Sequence, residues 1–124
     1  LAYSTFAFSG AYSDAGYFGM YAGCLPAKTE QVREVMGHEF DKLAAAGITE
    51  EELLKVRGQL AGSTVLGSED SGSRMSRLGR AEMDSGQFTS TDELLEKIRA
   101  VSLDEVRDLA AFLGEQQMIT TIVR

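Results

Sequence analysis

LAYSTFAFSGAYSDAGYFGMYAG, running from Leu1 to Gly23, is the stretch whose reading decides the fold. From Leu1 to Ser9 the residues alternate, with Ala2, Ser4, Phe6 and Phe8 on one face and Leu1, Tyr3, Thr5 and Ala7 on the other. That alternation and its aromatic content predict a strand with at least one well-buried face. GAYSDAG (10–16) is a turn-rich connection, in which Gly10, Asp14 and Gly16 tolerate unusual dihedrals. Tyr17 to Gly23 is a second apolar strand, so the pair reads as an antiparallel hairpin with a longish loop. Gly19 and Gly23 weaken that strand and predict close packing of another element against it. The alternation is already running at Leu1, from which the expectation is that these residues are a piece of a longer sheet.

Outward from the hairpin, Pro26 marks a helix start, where its missing N–H costs nothing. Val32, Val35, Met36, Phe40 and Leu43 fall on one stripe at helical spacing, and Gly47 is the expected stop. A capping box of Thr49 with Glu52 opens the next helix, which carries Leu53, Val56, Leu60 and Ala61 inward and runs to about Leu66. Gly58 and Gly62 on that helix each cost about 1 kcal/mol relative to Ala, and predict close approach to a neighbour. A third helix follows from about Gly72 to Ser85, with Met75, Leu78 and Met83 as its apolar members. Two more are capped by Ser90 with Glu93 and by Ser102 with Glu105. MITTIVR (118–124), a β-branched run, reads as a last strand. Two strands, five helices and a strand make an α+β fold, an antiparallel β-sheet with several helices packed on one face, and residues 1–124 form a single domain. Three strands are thin for that many helices, which again points to an incomplete sheet.

Composition narrows the function classes. At 124 residues, with 44% hydrophobic and 25% charged residues, the chain reads as soluble globular protein. A net charge of -7 argues against a nucleic-acid partner, because phosphate binding runs on clustered Lys and Arg. No window approaches the roughly 20 apolar residues of a membrane span. A single cysteine, Cys24, allows no internal disulfide and fits a cytoplasmic location, as an inert small hydrophobe beside Leu25 and Pro26.

The candidate motifs are thin. GHEFDK (37–42) begins like a zinc-binding helix, but Lys42 stands where a second His is needed, and His38 points away from the apolar stripe. GSEDSGSR (67–74) has the glycine spacing of a phosphate loop. However, Arg74 replaces the Lys-Ser/Thr pair, Glu69 and Asp70 would repel phosphate, and no strand precedes it. Arg74, Arg77 and Arg80 form a basic ridge, read as a solvated face, with docking to an acidic partner as the alternative. Arg57 falls inside the Leu53/Leu60 stripe and is expected to snorkel out of a helix–sheet seam. No Ser-His-Asp set can be built around one histidine.

The order of pieces says more than any one of them. LAYS heading an aromatic strand, a Gly-rich turn into YFGMYAG, then Pro, an amphipathic helix and GITEEELLKVRGQLAGSTVLGSEDSGSRMSRLGRAEM resembles the C-terminal part of a pitrilysin/insulinase-type zinc metallopeptidase. It is most similar to bacterial relatives of mitochondrial processing peptidase, over essentially the whole chain. The resemblance implies an incomplete metallopeptidase half-domain, from the half without zinc. No metal or cofactor is expected in these residues. Zinc would sit in the missing N-terminal half, on an inverted H-x-x-E-H motif and a distant Glu. Tyr3 matches the tyrosine of an R-x-x-x-G-L-A-Y-S segment, whose implied role is to donate its phenol O–H to the scissile carbonyl or developing oxyanion. Implied partners are the zinc-bearing N-terminal half and a peptide substrate, with a homodimer through the exposed sheet edge as a further expectation. The fragment alone would be inactive. The alternatives are a non-catalytic structural or substrate-presenting paralogue, and an acidic interaction module using the arginine ridge.

Overall fold

A computed structural model describes residues 1–123. The elements follow one another as β1 (Ala2–Ala11), β2 (Gly16–Cys24), a 3-10 turn over Pro26–Lys28, α1 (Thr29–Ala46), α2 (Glu50–Glu69), α3 (Ser71–Asp84), α4 (Thr91–Ala100) and α5 (Leu103–Gly114). This is an α+β arrangement, with helices packed against a two-stranded antiparallel sheet. The hairpin is tighter than its glycines suggested. Tyr12 donates its N–H to the Ala15 carbonyl at 2.7 Å, and both strands run up to that turn.

Local signals place the helix ends. Thr49, Ser90 and Ser102 cap α2, α4 and α5, each accepting from the backbone N–H of the glutamate three residues on, while that carboxylate accepts from the cap residue's own N–H. Such caps are worth about 1 kcal/mol each. Glu52, Glu93 and Glu105 are held below their ordinary pKa of 4.5 chiefly by those backbone hydrogen bonds. Asp70 caps α3 in the same way, accepting from the Ser73 N–H at 2.6 Å, so the phosphate-loop look-alike has its first amides occupied by its own acid. Gly47 ends α1 at φ 67°, a left-handed conformation that favours glycine.

Packing departs from the sequence expectations in four places. Residues 118–123 form no strand, and Arg124 lies outside the described residues. A β-branched run fits a pleated surface, but it becomes a strand only where a neighbour takes its N–H and C=O groups. Both faces of β1 are exposed along nearly its whole length, against the buried face expected of it. Val35, Val56 and Leu60 of the inward stripes are exposed, as are Met75, Leu78 and Met83 of α3. Finally, a Cβ built on Gly58 or Gly62 would meet nothing within 4 Å, so these glycines mark no close approach.

The buried hydrophobic residues are Val32 and Phe40 of α1, Leu53 of α2 and Ala110 of α5. α1 lies along α5, closely enough that a Cβ on Gly114 would press on Ala44. The sheet meets the helices chiefly where α1 touches β2, with Phe18 stacked on Phe40 at 6.1 Å between ring centroids. The accessible surface is 9852 Å² for 13.4 kDa. A compact monomer of that mass would expose roughly 6,500 Å². The excess, about 3,000 Å², is the size of an obligate interface.

Candidate functional site

Tyr3 sits in a β-bulge. Pairing steps from Ala2–Cys24 directly to Ser4–Gly23, so β1 carries an extra residue between two rungs of the ladder. The consequence is a change of face. Strict alternation sets Tyr3 against Phe6 and with Thr5, yet its ring lies over Gly23, where a Cβ would come within 2.7 Å of it. Gly23 shares its face with Tyr21, and Tyr21 stacks on Phe6 at 4.8 Å between centroids and 25° between planes. Tyr3 therefore joins the Phe6 face, with 77% of its surface accessible.

That face is aromatic throughout. Phe6 and Phe8 are 6.1 Å apart, Phe8 and Tyr17 6.2 Å, and Tyr17 and Tyr12 6.3 Å, centroid to centroid. Two further rings lie over cross-strand glycines: Phe8 over Gly19 and Tyr17 over Gly10, each directly paired in the ladder. A side chain on either glycine would collide with the ring above it. The glycines do mark close approach, as expected, but the approaching group is a cross-strand ring of the same hairpin rather than another element. Sequence reading missed this face. Centring the hairpin on Tyr12–Ala15 would have found it, since that register sets Phe8 opposite Gly19 and Tyr17 opposite Gly10.

The remaining candidates are placed elsewhere and do not converge on Tyr3. His38 is exposed on α1, its Nδ1 3.6 Å from a Glu39 carboxylate oxygen. Cys24 is half-buried at the end of β2. Among the described residues no group of three or more His, Cys, Asp or Glu could hold a metal ion, so zinc chemistry finds no ligand set here. The arginine ridge divides. Arg77 donates to the Thr91 hydroxyl at 3.2 Å and lies 5.0 Å above the Phe88 ring, tying α3 to the start of α4. With Arg74, Phe88, Ser90 and Thr91 it lines an open depression of about 400 Å³. Arg57 donates to the Val101 carbonyl at the end of α4, where a cation suits both the unpaired carbonyl and the helix dipole. It bridges α2 to α4 instead of snorkelling from the sheet.

Comparison with known proteins extends beyond this geometry. Residues 1–60 match the family described as the Peptidase M16 inactive domain. A Streptomyces coelicolor protein described as an uncharacterized zinc protease is 40% identical over 98% of this chain, and a Bacillus subtilis protein of the same description is 34% identical over 99%. The alpha subunit of the mitochondrial-processing peptidase of Neurospora crassa is 27% identical over 86% of the chain. The aligned residues make up 27%, 30% and 19% of those relatives, so the chain spans about a quarter of their length.

Proposed function

We propose, for a chain that belongs to the M16 peptidase family as part of its inactive domain, that it forms a peptide-contacting wall of a zinc endopeptidase and pairs with a separate zinc-bearing half. Tyr3 is the residue assigned to the reaction. The observation that carries the reading is the bulge, which turns the Tyr3 phenol onto an open face. A phenol O–H is a hydrogen-bond donor. Held beside a scissile carbonyl, it stabilises the negative charge that collects on the carbonyl oxygen as the tetrahedral intermediate forms. The metal, its ligands and the attacking water belong to the other half. The surplus accessible surface supports such pairing, because helix faces such as Leu54, Leu66 and Met83 are open here.

The test is Tyr3→Phe in the longer protein that carries these residues together with a zinc-bearing half, assayed on an unstructured peptide library. Loss of one donor to the oxyanion lowers kcat/KM by about 10²–10³-fold, with zinc content unchanged. Full activity in the variant would remove Tyr3 from the reaction and favour the structural or substrate-presenting reading.

A further inference from the structure

Resting on that reading, we infer that the aromatic face of the β1–β2 hairpin is a docking platform for extended peptide segments with uncharged, apolar side chains. Its rings form a continuous run from Tyr21 through Phe6, Phe8 and Tyr17 to Tyr12, with neighbouring centroids 4.8 to 6.3 Å apart. Phe8, Tyr17 and Tyr3 each lie over a glycine, so ring surface covers backbone that a Cβ would otherwise occupy. The opposite face is the one that α1 meets through Phe18 and Phe40, which leaves this face open.

Charge selects the occupant. Asp14 is the one charged side chain between Leu1 and Leu25, while all 12 Lys and Arg residues and the rest of the 19 acids lie beyond it. The platform has no fixed charge to pair with an acidic or basic side chain, and the net charge of -7 repels acidic segments. Apolar side chains gain from burial against the rings, and the phenol hydroxyls of Tyr3, Tyr12, Tyr17 and Tyr21 can donate to backbone carbonyls whatever the peptide's sequence. Long-range attraction of a basic peptide to an acidic chain is screened by salt, whereas apolar contact is not. Binding at high salt therefore isolates the platform's own contribution.

The chain has no Trp, and its 4 Tyr residues all lie in the hairpin, so intrinsic fluorescence reports on this region alone. The experiment titrates the 124-residue chain at high salt with peptides of equal length lacking Tyr and Trp. One is apolar and neutral, one has interspersed Glu and one has interspersed Lys. The expected result is a saturable change with the neutral peptide, at an affinity about tenfold higher than for either charged one, and about tenfold weaker binding in Phe6→Ala and Phe8→Ala. Equal binding of all three peptides, or no saturable change with any, overturns the proposal. So does a concentration-dependent change without peptide, matched by dimerisation in sedimentation, because a second copy would then occupy the face. The peptide ranking uses the wild type alone, so it decides the matter even where a variant fails to fold. Binding needs neither zinc nor turnover: its failure beside a large Tyr3→Phe effect sinks only the platform, and the reverse sinks only the catalytic assignment.

Discussion

The two faces of the hairpin have opposite compositions and opposite fates. One carries Thr5, Ala7, Ser9 and Ala11 opposite Ala22, Met20, Phe18 and Gly16, and meets helix α1. The other carries Phe6, Phe8, Tyr17, Tyr21 and, through the bulge, Tyr3, and stays open. Hydrophobicity alone would have the rings inside and the small residues outside. The small face allows close approach of a helix, with Phe18 stacking on Phe40 as its aromatic anchor. The aromatic face instead covers its own backbone, ring over glycine, and keeps an amphipathic surface for something else. An exposed aromatic set of this extent marks an interaction surface.

If the faces differ in this way, one substitution applied to each should separate them. Phe40, only 7% exposed, anchors the helix side, so Phe40→Ala should cost about 3–5 kcal/mol in urea unfolding of the chain. Phe6, 54% exposed, should cost only about 0.5–1.5 kcal/mol when changed to Ala, the worth of its stacking on Tyr21. Equal costs would mean that both faces are core. The glycine device has its own signature: the Hα resonances of Gly10, Gly19 and Gly23 should lie upfield through ring currents, while those of Gly58 and Gly62 stay ordinary.

Acid should give the gentlest contrast. Glu52, Glu93, Glu105 and Asp70 have folded pKa values lowered by hydrogen bonds from backbone N–H groups at helix starts. The unfolded chain therefore takes up protons first. The stability these groups contribute is complete above their unfolded values and is lost as pH falls through the folded ones, which for the glutamates means below 4.5. Far-UV circular dichroism should record loss of helix in that range before the tyrosine fluorescence of the hairpin changes. Simultaneous loss would show that hairpin and helices unfold as one unit.

Much of this was readable in advance, and what was readable is local. The capping boxes at Thr49, Ser90 and Ser102 and the stop at Gly47 are set by contacts three or four residues long, whose partners stand side by side in the chain. Tyr3 was identified by resemblance, but its environment was assigned to the wrong face, because a bulge becomes visible only once two strands are in register. The residues from Met118 to Val123 have strand chemistry without a strand partner. Arg57 and Arg77 were judged by what surrounds them on their own helices. Their actual partners, Val101 and Thr91, lie 44 and 14 residues away.

Chain order alone settled where each helix begins, which residues can form strands, and that the hairpin is uncharged and rich in glycine and aromatic side chains. Folding in three dimensions chose the face on which Tyr3 emerges, the rings that cover glycines and the arginines that join helices. The reason is reach: a hydrogen bond across one helical turn is encoded by neighbours, whereas cross-strand register and helix–helix contact depend on every intervening element taking its place first.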